Sequence, residues 1–163
     1  AIVIGSGISG GWAAKELCEK GLKTIVLDRG RDVKHVSGYP TAMKEVWELP
    51  NAGRVSQAIK DEHYEKQQRT GYTVREGHKH FFVKDSEHPY NEIEGKRCDW
   101  IRGYQVGGRS LVWGRQCYRW SDYDFEANAK EGIAIDWPIR YKDIAPWYSY
   151  VERFAGQVFN KVC

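Results

Sequence analysis

Residues 1–28 constrain the fold more tightly than any other stretch. AIVI (Ala1 to Ile4) is a continuous apolar run, the pattern of a buried parallel strand. GSGISGG follows at once. WAAKELCEKG then reads as a helix: Ala13, Ala14, Leu17, Cys18 and Gly21 share one face, while Lys15, Glu16, Glu19 and Lys20 lie largely outside it. Gly21 is placed to cap its C-terminus. TIVL (Thr24 to Leu27) is a second β-branched strand, and Asp28 stands at its end. Strand, glycine turn, helix, strand and acid predict a parallel βαβ unit.

The glycine spacing, Gly5, Gly7 and Gly10 around Ser6, gives that unit a purpose. Gly5 allows the sharp exit from the strand. Gly7 leaves room for a pyrophosphate against the backbone, and Gly10 lets helix and strand pack closely. The helix N-terminus offers unpaired N–H groups to the phosphates. Asp28, 18 residues beyond Gly10, is placed to accept hydrogen bonds from an adenosine ribose. An acid there disfavours a 2′-phosphate. NAD and FAD share this pattern, so the first 28 residues leave both open.

A second glycine-rich segment narrows the choice. RGYQVGGRSLVWGRQCYRW (Arg102 to Trp120) sets glycines beside arginines and two tryptophans, with neither helical nor strand period. Linkers do not carry tryptophans, and core strands do not carry arginines. Such a segment suits backbone lying tightly against something other than protein. A simple nicotinamide domain has no use for it. The long polar excursion over 31–95 also fits an FAD fold with an insertion better.

Together, AIVIGSGISGG, TIVLDRG and GYQVGGRSLVWG resemble the glucose–methanol–choline family of flavin oxidoreductases, nearest to its bacterial sugar dehydrogenase and pyranose-oxidising branch. The resemblance implies an incomplete Rossmann-like α/β fold that binds FAD. It places Gly107, Gly108 and Ser110 across the pyrophosphate and flavin, and Leu111, Val112 and Trp113 beside the isoalloxazine. Asp28 matches the family's ribose acid, and Arg29 with Gly30 the turn after it. Covalent members carry a histidine one residue before the tryptophan. Val112 stands there, which implies non-covalent FAD. The implied reaction oxidises a CH–OH group of a sugar or other polyol, with hydride passing to the flavin. The implied partners are that small substrate and an electron acceptor, a protein among the candidates. An NAD-dependent dehydrogenase and a non-catalytic nucleotide-binding module remain the alternatives.

Elsewhere the expectations are coarser. Residues 41–49 suggest a short helix, 54–69 an exposed helix or loop, and HKHFFV (His78 to Val83) a strand. On that strand His78 and His80 would share a solvated face, with no third ligand spaced for a metal. Ser121 and Asp124 form a capping-box pattern that predicts a helix start. Pro146 predicts the first turn of another helix, with Trp147, Tyr150, Val151 and Phe154 as core, along with Trp120 and Trp137.

Composition sets limits. Net charge is +3, and basic residues are interleaved with 22 acids, without the Lys/Arg run of a nucleic-acid binder. The longest uncharged stretch, Ala1 to Ala14, is too short to span a bilayer. Cys18, Cys98, Cys117 and Cys163 lack C-x-x-C spacing and are expected as free, mostly buried thiols. The chain opens on Ala1 rather than Met, so a preceding segment is expected. No stretch matches the family's catalytic or substrate part. The expectation is therefore that residues 1–163 are the N-terminal FAD-binding portion of a larger enzyme, with 31–95 a lid-like excursion and the catalytic base outside this chain.

Overall fold

A computed structural model of the chain describes residues 1–70 and 73–156. They fall into two compact units, Ala1–Gly114 and Arg115–Cys163.

The first unit begins with the βαβ motif. Strands β1 (Ile2–Ile4) and β2 (Ile25–Leu27) pair in parallel, with Val3 opposite Val26. Helix α1 (Ile8–Glu19) is the crossover, starting one turn before the tryptophan that opened the sequence pattern. It ends in a Schellman motif. Gly21, at φ +80°, donates to the Cys18 carbonyl at 2.9 Å, and Leu22 donates to Leu17 at 3.1 Å. Val3 is buried, and a Cβ built at Gly10 would lie 3.5 Å from its side chain. The opposite face of the pair carries Ile2, Ile4, Ile25 and Leu27, all exposed, Ile4 at 87%. The expectation of strands buried on both faces fails. Among the described residues the sheet has two strands, and no other element packs on that face.

Beyond β2 the chain makes short turns. Val46–Glu48 is a single 3₁₀ turn where a short helix over 41–49 was expected. Helix α2 (Gln57–His63) starts at Ser56, whose hydroxyl accepts from the Ile59 N–H at 3.4 Å. The stretch 54–69, read as an exposed helix or loop, supplies part of a core: Val55 and Tyr64 are buried together with Val74, with Ile59 against them. Gln67 is buried as well, and its amide donates to the Val83 carbonyl. Strand and helix periodicity both miss such a core, because each buried residue comes from a different short turn.

HKHFFV is not a strand. Lys79–Phe81 forms a 3₁₀ turn closed by Phe81 N–H to His78 at 3.1 Å and Phe82 N–H to Lys79 at 3.0 Å. Across the fold, Val83 donates to the Arg102 carbonyl at 2.8 Å, and the His80 carbonyl accepts from the Arg31 guanidinium at 3.3 Å. The β-branched and aromatic composition suggested a ladder, but local i→i+3 bonds satisfy this backbone instead. His78 and His80 therefore do not share a strand face. Both are half-buried, and burial holds both imidazoles below the usual histidine range. Among the described residues no group of three or more His, Cys, Asp or Glu side chains could hold a metal ion.

In the second unit, helix α3 (Asp122–Glu131) starts at the expected capping box. Ser121 N–H donates to the Asp124 carboxylate at 2.7 Å. Phe125, 2% exposed, sits among Trp120 and Trp137, whose rings pack edge-on 6.0 Å apart. Trp120 and Trp137 nevertheless stay exposed, so they cover Phe125 rather than forming the core expected of them. Helix α4 (Tyr141–Ala155) starts a turn and a half earlier than expected, which puts Pro146 inside it. Its side chains Trp147, Val151 and Phe154 are exposed rather than core. Arg119 holds α4 to the segment before α3 through Glu152, Tyr141 and Ser149.

The described cysteines are free, as expected, but not mostly buried: Cys18 and Cys98 are exposed and Cys117 half-buried. Cys163 lies outside the described residues. Among the described residues no helix is long and apolar enough to cross a membrane.

Candidate nucleotide and flavin site

At the C-terminal edge of the two strands the chain leaves β1 through Gly5, at φ +91°, whose N–H donates to the Leu27 carbonyl at 2.6 Å. The next residue, Ser6, turns toward the end of β2. Its N–H donates to Asp28 Oδ2 at 2.6 Å, and its hydroxyl donates to the same oxygen. Asp28 Oδ1 accepts from the Arg29 N–H, also at 2.6 Å. The Ser6 hydroxyl bond holds the Asp28 carboxyl below the usual carboxylate range. Slight burial opposes it, and the N–H groups of Ser6, Arg29 and Gly107 add to it. Asp28 is thus an exposed, ionised carboxylate at neutral pH.

Gly7 is the N-cap of α1, and neither a capping side chain nor an acid occupies the first turn. The first turn of α1 thus offers backbone N–H groups and a positive dipole end without an acidic side chain of its own. A Cβ at Gly10 would overlap the Gly5 carbonyl, so the third glycine of the spacing is sterically required.

The second glycine segment comes to this turn, although 101 positions separate Gly107 from Ser6. A short parallel bridge between Arg31 and Gln105 delivers it. Arg31 N–H donates to the Tyr104 carbonyl at 3.3 Å, and Val106 N–H donates to Arg31 at 3.0 Å. Gly30, at φ +98°, allows the approach, since a Cβ there would run into the Tyr104 carbonyl. Gly107 then takes the left-handed conformation, φ +87°, and opens a 3₁₀ turn over Gly108–Leu111. Its N–H donates to Ser6 Oγ at 2.8 Å, and its carbonyl accepts from the Ser110 hydroxyl at 2.6 Å. Gln105, itself buried, donates to the Gly108 carbonyl at 3.2 Å. Leu111 and Val112 are half-buried at the end of this turn, and Trp113 is exposed.

Gly5, Ser6, Gly7, Gly10, Asp28, Arg29, Gly107, Gly108 and Ser110 therefore gather at one place. Four residues beyond the expected set join them: Tyr104, Arg102, Gln105 and Arg31. Tyr104 carries the Arg29 guanidinium 3.8 Å above its ring, and the buried Arg102 donates to its hydroxyl at 3.2 Å. Gln105 and Arg31 form the bridge, and with Tyr104, His80 and Phe81 they line a cavity of about 270 Å³. The one signal for them was their adjacency to Gly30 and Gly107.

The arrangement suits the adenosine diphosphate end of FAD. A carboxylate has about four acceptor sites, and three donors from Ser6 and Arg29 leave Asp28 room for a ribose hydroxyl. An uncapped helix N-terminus beside a glycine turn suits a pyrophosphate. The class this defines is a dinucleotide-binding α/β protein.

The family described as FAD dependent oxidoreductase matches residues 1–137, and the chain belongs to it. FAD is its cofactor, so the NAD alternative falls away. The chain is also similar to the gluconate 2-dehydrogenase flavoprotein of Pantoea cypripedii, 24% identical over 170 aligned positions, which cover 96% of this chain and 25% of that protein. The chain thus spans about a quarter of the length of that curated relative.

Proposed function

We propose that the whole protein is a flavin dehydrogenase of the glucose–methanol–choline type that oxidises a CH–OH group of a sugar or polyol. The observation that carries this reading is the meeting of the two glycine segments, Gly107 hydrogen-bonded to Ser6 beside Asp28. A nicotinamide domain has no such second segment, whereas the family resembled here uses one. The relative's name, a gluconate dehydrogenase, supports a polyhydroxylated acid or sugar as substrate.

In this reading the N–H groups at the start of α1 hold the pyrophosphate, with Gly5, Gly7 and Gly10 clearing the space. Asp28 accepts from the adenosine ribose, and the Arg29 backbone fixes its other oxygen. Gly107, Gly108 and Ser110 run past the pyrophosphate toward the flavin, and Leu111, Val112 and Trp113 border the ring. Valine at 112 has no nucleophilic atom, so FAD is held without a covalent bond. Bound FAD supplies the hydride acceptor, and the protein supplies orientation and electrostatics. In this reading the base that takes the hydroxyl proton lies outside residues 1–163, and an electron-acceptor protein is a candidate partner.

Dye reduction by the full-length protein over a substrate panel tests this. Sugars, sugar acids or glycosides should react faster than choline, methanol or a sterol. A site built to pair many hydroxyls discriminates against alcohols that leave its polar groups unpaired, by on the order of 10⁴-fold. Activity confined to aliphatic alcohols or sterols would overturn the substrate class and leave the flavin assignment standing. Acid precipitation should release all the flavin. Flavin retained in the pellet would refute non-covalent attachment.

A further inference from the structure

We propose that Ser6 is a positioning residue whose hydroxyl ties the acid Asp28 to the second glycine segment at Gly107, setting both halves of the cofactor cradle as one piece. The inference rests on the reading of Asp28 as the ribose acid. Ser6 stands between Gly5 and Gly7, where the glycine spacing itself calls for no side chain. Here the side chain is used on both sides. Its O–H donates to Asp28 Oδ2, and its oxygen accepts from Gly107 N–H at 2.8 Å. A hydroxyl has one proton and two lone pairs, so Ser6 can make both bonds at once, and donation to a carboxylate strengthens its acceptance from Gly107.

The surroundings make this link more than a surface contact. Gly107 stands in a left-handed conformation, and the Ser110 hydroxyl holds its carbonyl at 2.6 Å. A Cβ at Gly7 would lie 3.8 Å from that same carbonyl. The Gly107 peptide is thus fixed at its N–H by Ser6 and at its oxygen by Ser110, with the Gly7 backbone close beneath. Asp28 is held in turn by Ser6 from one side and Arg29 from the other. Moving Ser6 would move the acid and the segment together.

The test uses the full-length protein stripped of flavin, titrated with FAD and followed by flavin fluorescence, with folding checked by circular dichroism. Ser6→Ala should weaken FAD binding by roughly tenfold, the loss of a charge-assisted hydrogen bond at a partly solvated site. Ser6→Thr, which keeps the hydroxyl, should bind within about twofold of the parent. In an Asp28→Ala background, Ser6→Ala should cost much less than it does alone, because the two act through one chain of bonds. Unchanged affinity in Ser6→Ala overturns the proposal while leaving Asp28 at the ribose, provided Asp28→Ala still weakens binding. Full additivity of the two substitutions also overturns it. Unchanged affinity in Asp28→Ala overturns the ribose reading and the coupling with it. Should Ser6→Ala not fold, Ser6→Cys is compared with Ser6→Thr. The weakly donating thiol should bind FAD less tightly, and equal affinities overturn the proposal.

Discussion

Asp28 owes its depressed pKa first to the Ser6 hydroxyl, a neutral group rather than a cation. The nearest guanidinium in sequence, Arg29, lies on the Tyr104 ring instead. Because the folded-state pKa lies below the unfolded value, the carboxylate favours the folded state above about pH 4, and that contribution is lost as pH falls from there through the depressed value. Asp28→Asn should therefore lower the unfolding midpoint at pH 7, with the difference shrinking as pH falls below about 4. A difference that does not shrink at all as denaturant series are taken progressively below about pH 4 would contradict this. For the cofactor, Asp28→Ala should weaken FAD binding by about ten- to a hundredfold, the usual cost of a hydrogen bond to a charged group, with the fold intact in circular dichroism. Gly30 is the other residue whose identity is forced. Alanine there would need a left-handed backbone and would collide with a carbonyl that cannot move without breaking the Arg31–Gln105 bridge. Gly30→Ala should cost about 2 kcal/mol or more, read as a shifted urea midpoint, together with weaker FAD binding.

Among the elements, α1 and α4 show opposite uses of helix signals. Helix α1 has its glycine at the left-handed position just past its end, as its sequence indicated, and a bare N-terminus left for a ligand. Helix α4 begins at Arg140, where the Asp143 carboxylate accepts from the Arg140 N–H at 2.8 Å. Its start was misplaced because proline in a first turn is the commoner arrangement, and this proline lies at the sixth helical position instead. There it removes the hydrogen bond that residue 146 would donate to the Lys142 carbonyl. Pro146→Ala should stabilise the second unit by about 1–3 kcal/mol, seen as a rise in its unfolding temperature. A fall would mean that the proline ring makes packing contacts worth more than the missing bond.

At the scale of the whole molecule, the sheet is the telling feature. Two parallel strands with one helix on one face make a marginal structure, and Ile2, Ile4, Ile25 and Leu27 lie exposed on the other face. Expressed alone, residues 1–163 should bind a hydrophobic dye strongly and unfold without a sharp transition. In the larger enzyme proposed above, further elements on that face should abolish both effects. A cooperative thermal transition without dye binding in the isolated chain would show that the two-stranded sheet suffices.

The sequence by itself determined the βαβ unit, the glycine turn, the acid at the end of β2 and the start of α3. Each is written in contiguous residues, through apolar periodicity, glycine spacing or a capping pair, so local sterics and hydrogen bonding are enough to specify it. Tertiary structure alone decided the rest. The core of Val55, Tyr64 and Val74 draws on turns that carry no period. At Lys79–Phe81 a 3₁₀ turn stands in place of the strand, and among the described residues no strand lies beside it to form a ladder. The contact between Ser6 and Gly107 spans most of the first unit, and it depends on Gly30 letting one stretch of backbone reach another. Such bonds are set by which distant groups arrive within about 3 Å of each other, a property of the folded chain that no run of neighbouring residues encodes.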